Sequence, residues 1–133
     1  MAKELFAYAE EMKLVVNKTN GRHSTLIVTP EDMGSEGFII GTHTMDPGGG
    51  AQEHAHEREQ EAMYFYEGTG VATIDGVEYE IRPDSVMLAP AGIRHTIRNT
   101  GAGPLKFVFV YCPPLPEHAS RKRYFEEAKD KIA

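Results

Sequence analysis

Four residues of metal-binding type stand out by their spacing: His54, His56, Glu61 and His95. Two histidines two apart on an extended backbone point to the same face, because successive strand side chains alternate sides, so His54 and His56 can grip one ion. Glu61 joins that face only if a turn or bulge intervenes, and the charged run Glu57-Arg58-Glu59-Gln60 offers the residues for one. His95 enters a strand just after the turn Pro90-Ala91-Gly92 and makes a fourth candidate ligand. Three neutral imidazoles and one carboxylate around a divalent ion leave a formal charge of about +1, whose pull on anions an apolar wall strengthens. On an octahedral ion, four protein ligands leave two positions for a chelating substrate, or for a substrate and dioxygen. One divalent transition metal per chain is therefore expected. Iron, manganese and nickel suit mixed imidazole and carboxylate ligation best, while zinc, cobalt and copper remain compatible.

Gly48, His54, His56, Glu61 and Gly68 stand in the pattern G-x5-H-x-H-x4-E-x6-G, and Pro90, Gly92, His95 and Asn99 in P-x-G-x2-H-x3-N. These two motifs resemble the pair that marks the cupin family. The one departure is Asp84, where the second motif begins with glycine; that position serves a turn, which aspartate also tolerates. The resemblance covers residues 48 to 99 and implies a double-stranded β-helix with the four residues gathered on one ion. It also admits a shorter spacing, in which Gln60 rather than Glu61 faces the ion. Similar proteins include dioxygenases, oxalate-decarboxylase-like proteins, isomerases and polyketide cyclases, so the fold does not choose a reaction.

The elements that must position these residues read as short strands. His23 to Thr29 is β-branched and is closed by the turn formers Pro30-Glu31-Asp32-Met33-Gly34. Phe38 to Met45 is a second strand, ending at Asp46-Pro47-Gly48-Gly49-Gly50. Ala62 to Tyr66 follows Glu61, and Val71 to Ile74 pairs with Val77 to Ile81 across Asp75-Gly76, a strong hairpin signal. Ser85 to Leu88, Ile93 to Asn99 and Leu105 to Tyr111 complete the series with no helices between them, which points to an all-β closed barrel or jelly roll. By parity Glu61, Met63 and Phe65 share one face, and Leu105, Phe107, Phe109 and Tyr111 another, lining the interior. Pro113-Pro114-Leu115-Pro116 stops the last strand. The division expected is an N-terminal arm over residues 1–22, a cupin barrel over 23–116 and an amphipathic helix over 117–133, with Tyr124, Phe125, Ala128 and Ile132 on its apolar side. Leu5, Phe6, Ala9 and Met12 sit near helical spacing in the arm, as a short helix or a segment packed on a partner.

Bland readings hold elsewhere. His23, His43 and His118 are taken as structural, and Cys112 as a buried, inert thiol with no partnered base. Arg121-Lys122-Arg123 is a solvated helix face, since Glu126, Glu127 and Asp130 follow it. Gly48-Gly49-Gly50 and Gly68-Thr69-Gly70 are turns, because neither leads from a strand into a helix as a phosphate loop does.

With 133 residues and 41% apolar content the chain suffices for one domain. A net charge of -6 and the absence of a basic stripe argue against nucleic acid or an anionic membrane surface as partner. The start Met1-Ala2-Lys3-Glu4-Leu5-Phe6 lacks the apolar core of a signal peptide, and no window approaches the ~20 apolar residues of a membrane span. One cysteine allows no internal disulfide, which fits a reducing, cytoplasmic setting. The expected function is a metal-dependent enzyme, of oxygenase, decarboxylase, isomerase or cyclase type, acting on a small anionic or enolisable carbonyl metabolite. The alternative is a non-catalytic cupin that binds a metal and a metabolite. A decarboxylase would need a mobile acid, for which Glu53, Glu57 and Glu59 are the nearest candidates. A homodimer is also expected, because an open jelly roll leaves strand edges to cover and a strand such as His23 to Thr29 could add to a neighbour's sheet.

Overall fold

The computed structural model describes residues 3–131, with side-chain surroundings given as far as residue 128. Nine strands form in chain order: β1 (Val15–Asn17), β2 (Arg22–Val28), β3 (Ile39–Met45), β4 (Gln60–Glu67), β5 (Gly70–Ile74), β6 (Val77–Ile81), β7 (Ser85–Ala89), β8 (His95–Arg98) and β9 (Leu105–Cys112). Helices α1 (Pro30–Met33) and α2 (Arg121–Lys131) complete the elements that matter for the site. A six-stranded sheet in the order β1-β2-β3-β9-β4-β7 faces a three-stranded sheet, β6-β5-β8. Every strand pairing is antiparallel, and the two sheets make a jelly roll that does not close into a barrel.

The core follows from the period of two along each strand. Glu61, Met63 and Phe65 of β4 and Leu105, Phe107, Phe109 and Tyr111 of β9 are all buried between the sheets, as their parity required. Gly41 on β3 lies opposite Phe109, and a Cβ there would stand 2.2 Å from the ring, so glycine is what lets the phenylalanine cross the core. The Asp75-Gly76 hairpin forms with both residues at positive φ, 51° and 79°, which matches the right-handed twist of the flanking strands. Asp84 also takes positive φ, 66°, and the Tyr64 hydroxyl donates to its carboxylate, so aspartate fills the glycine position of the second motif without losing the turn.

Several local expectations give way to the structure. Pro30 to Met33 folds as one turn of helix rather than a loop, because Thr29 Oγ1 accepts the Asp32 N–H at 3.0 Å and Gly34 ends the turn at φ 83°. Residues 3–12 form only a 3₁₀ turn, Ala9–Glu11, and leave Leu5 and Phe6 79% and 73% exposed, since no core face among the described residues covers them. The arm also contributes β1, which pairs with β2, and Arg22 belongs to β2. That pairing corrects the nomination of the His23 to Thr29 strand for a neighbour's sheet, because β2 has β1 on one side and β3 on the other. Cys112 is exposed, not buried, since it ends β9 on the face opposite Tyr111. Ile132, assigned to the apolar side of the terminal helix, lies outside the described residues.

Candidate metal centre

The side chains of His54, His56, Glu61 and His95 each offer a ligand atom, and these atoms all lie within 4.8 Å of one another. Two isolated backbone features make the meeting possible. His54 and His95 form a bridge, with the His54 N–H donating to the His95 carbonyl at 3.0 Å and the reverse bond at 2.8 Å. Gly92, at φ 83°, donates its N–H to the His56 carbonyl at 2.7 Å, so the turn of the second motif clamps the loop of the first. Asn99 serves as a tie: its amide donates to the Met45 and Gly103 carbonyls at 2.8 and 2.9 Å, which joins the ends of β3 and β8. Motif glycines and asparagine thus shape the loops, which bring His54 and His56 to Glu61 on β4 and His95 on β8.

Glu61 is 3% exposed and its neighbour Gln60 faces solvent, so the longer motif spacing is the one realised. The ring tautomers are set by backbone carbonyls. Nδ1 of His54 donates to Gln52 O at 2.8 Å and Nδ1 of His95 to Ile93 O at 3.1 Å, which leaves Nε2 of each neutral ring with a lone pair. His95 Nε2 stands 3.2 Å from Glu61 Oε1, a contact between two acceptors unless a proton or a metal ion is held there. Burial works against the charged imidazole, but the hydrogen bond and charge of Glu61 outweigh it and raise the His95 pKa. For His56 burial, reinforced by His54, lowers the pKa and favours the neutral ring that coordination needs. The donor set fits a divalent ion chemically: three imidazoles that coordinate once neutral, one carboxylate, and Nε2 lone pairs that the Nδ1 bonds leave on His54 and His95.

Tyr111 on β9 is hydrogen-bonded to His56 Nε2 at 3.1 Å, and burial together with Glu61 pushes its pKa far up, so the hydroxyl stays protonated. Beside the cluster lies a cavity of about 50 Å³ lined by His54, Glu61, His95, Tyr111, His43 and Arg22. An open groove of about 850 Å³ adjoins it along Asn17, Asn20, Gly50 and Gln52, with Arg22 and His54 shared. A third space of about 240 Å³ lies under α2, between Tyr111, His118 and Tyr124. His43 stacks on Phe109 at 4.5 Å, and burial with the nearby Arg22 charge lowers its pKa to about 3, as befits a structural ring. His118 is buried and accepts the Leu115 N–H at Nδ1, and His23 contacts Asp46 on the surface at 3.1 Å. Of the acids considered for proton transfer, Glu53 is paired with Arg94 at 2.6 Å, and Glu57 and Glu59 lie outside the cavity lining. Arg22 was missed by sequence reasoning because it was placed in the arm. Its parity with Ser24 and Leu26, both inward on β2, was the available signal.

Fold and cluster together define a single-domain jelly roll with three imidazoles and a carboxylate gathered between its sheets. The chain belongs to the cupin family, whose Cupin domain model matches residues 41–111. It is 30% identical over 101 residues to the polyketide synthase CurC of Streptomyces cyaneus, covering 76% of this chain and 66% of that one. The tetracenomycin polyketide synthase protein TcmJ of Streptomyces glaucescens is 30% identical over 99 residues, covering 73% and 66%. The chain thus spans just under two thirds of the length of these relatives. An oxalate-binding protein of Thermotoga maritima is 30% identical over 84 residues, 63% of this chain and 69% of that one. Among solved structures, KdgF from Halomonas sp. superposes with a TM-score of 0.75 at 15% identity over 84% of this chain and 96% of that one, a likeness of fold. No described helix is long and apolar enough to cross a membrane.

Proposed function

We propose that His54, His56, Glu61 and His95 bind one divalent transition metal, iron, manganese or nickel before zinc, cobalt or copper, and that the protein is a metal-dependent enzyme acting on an enolisable carbonyl or small anionic metabolite. The observation that carries this reading is the convergence of four ligand atoms within 4.8 Å, with His54, Glu61 and His95 on the wall of a cavity. A bound divalent ion would supply Lewis-acid polarisation of a carbonyl, or activation of dioxygen, at the positions the protein leaves free. The chain's own residues then bind and orient. Phe107 and Met63 form an apolar wall that excludes water, and the protonated Tyr111 hydroxyl offers a hydrogen bond to an oxygen in the cavity.

Two relatives whose names place them in polyketide synthesis support the enolisable-carbonyl branch, since a polyketone carries 1,3-dicarbonyl groups. The binding-only reading rests on the relative named as an oxalate-binding protein. One experiment separates them: metal analysis of purified protein, then incubation of the loaded protein with β-diketones, catechols and oxalate, following oxygen uptake and product. Product formed without oxygen supports the cyclase or isomerase branch, and oxygen uptake supports the oxygenase branch. A ligand recovered unchanged with every metal supports the binder.

A further inference from the structure

Arg22 points inward from β2, level with Ser24 and Leu26, and it lines the cavity at the metal cluster, the open groove and the space under α2 alike. It is half-buried, yet none of the ion pairs among the described residues includes it. Glu61 shares the cavity with it, and Glu117 and Glu127 share the space under α2, but none of them forms an ion pair with it. His43, Tyr111 and Tyr124 lie near enough for the guanidinium charge to favour their less protonated forms, but none of them compensates it. The Asn20 amide, oriented to satisfy its neighbours, accepts from Arg22 Nε and Nη2 at 2.9 Å each. A guanidinium has five N–H groups, so these two leave three, all on the two terminal nitrogens that grip a carboxylate end-on. A half-buried cation whose terminal nitrogens form no ion pair, although acids line the same spaces, is free to take a ligand's carboxylate.

We propose that Arg22 is the anion anchor of the site, positioned by Asn20, and that the ligand is a small acid carrying a carboxylate next to a second oxygen donor: a dicarboxylate, or a 2-oxo or 3-oxo acid. The volume sets the size. The cavity shared by Arg22 and the cluster is small, about 50 Å³, and Arg22 and His54 also line the open groove of about 850 Å³, so a compact carboxylate-bearing head suits the cavity and any bulk lies in the groove. One oxygen-bearing group faces His54, Glu61 and His95, the carboxylate meets Arg22, and any remainder of the ligand extends into the groove along Asn17 and Gln52. This assignment deepens the metal-site reading above and rests on it for the second contact.

The test is calorimetric titration of manganese-loaded protein with oxalate, malonate and acetylacetone, the last a diketone without a carboxylate. Arg22→Gln is expected to weaken oxalate and malonate about tenfold or more, with acetylacetone changed less than about twofold and metal content unaltered. Arg22→Lys keeps the charge without the fork and recovers part of the loss. Asn20→Ala frees the fork and weakens the acids mildly, which keeps the assignment testable if Arg22→Gln fails to fold. Equal losses for all three ligands, or undiminished oxalate affinity in Arg22→Gln, would overturn it. If the wild type takes up no metal, the metal reading fails by itself, and the anchor is then judged on metal-free protein: Arg22-dependent oxalate binding supports it, and its absence removes it.

Discussion

His95 Nε2 faces Glu61 Oε1 at 3.2 Å in a buried contact, with His95 Nδ1 already committed to the Ile93 carbonyl. Without an ion the pair must hold a proton, and with one it must release it. Glu61→Gln separates these states, because an amide N–H can donate to the imidazole lone pair while removing one negative charge from the ligand set. Metal affinity is expected to fall at least tenfold, at a comparable melting temperature of the metal-free protein. Metal content by elemental analysis, paired with a thermal melt in chelator, checks both halves. An unchanged occupancy would place the anionic ligand elsewhere.

His54→Ala, His56→Ala and His95→Ala should each lower metal affinity by about a hundredfold or more, beyond the ~10–100-fold typical of outer-shell changes. His43→Ala should not, although His43 lines the same cavity, because its ring stacks on Phe109 and is absent from the cluster. Affinity in the wild type should also drop below about pH 6, where protons compete for the imidazoles. Full occupancy in His95→Ala at neutral pH would dissolve the argument that the two motifs converge on one ion.

His118 carries a pH dependence of folding that is separate from the metal. Its Nδ1 accepts the Leu115 N–H at 3.0 Å and its ring lies 4.8 Å from that of Tyr111, so burial lowers its pKa to about 4. A base whose folded pKa lies below its unfolded value of 6.5 binds fewer protons when folded. Its stabilisation is complete above about pH 6.5 and is lost as pH falls towards about 4. Melting temperatures of metal-free protein should therefore decline through that window, and His118→Asn, which keeps an acceptor but no titration, should decline less. Parallel curves for the two proteins would assign the acid sensitivity to other groups.

Much of the site was legible because its information is local. The parity of His54 and His56, the Pro90-Ala91-Gly92 turn and the Asp75-Gly76 hairpin each depend on a few neighbouring residues, and each appears in the fold as read. What escaped depends on long-range packing. Arg22 became part of the site only because β2 pairs with β3 and sets it opposite Met45, and the β1 pairing of Val15 to Asn17 has too short a pattern to announce itself. Cys112 differs, since its exposure follows from local parity: it ends β9 on the face opposite Tyr111. Residues 3–12 have helical spacing, but among the described residues nothing covers Leu5 and Phe6, and an amphipathic face without a core is not stable as a helix.

We propose that a second copy of this chain covers the apolar surface left over, and the edges identify where. β7 ends the six-stranded sheet, and Val86 and Leu88 on it are 75% and 52% exposed, beside the exposed Tyr64 of β4, its partner across the ladder from Val86. An uncovered edge with apolar side chains invites pairing or packing, and soluble chains seldom leave such a face bare. The extended arm with exposed Leu5, Phe6 and Tyr8 supplies matching apolar surface from the other copy. Light scattering at micromolar concentration should give a dimer mass. Replacing Val86 and Leu88 together with lysine should shift that mass to the monomer while the metal content stays constant, since neither residue reaches the cluster. Deleting residues 3–8 should weaken the dimer by about tenfold or more if the arm is part of the contact, from the apolar area it would otherwise bury. A wild-type monomer at that concentration would refute the dimer. A dimer indifferent to both changes would move the interface to another face.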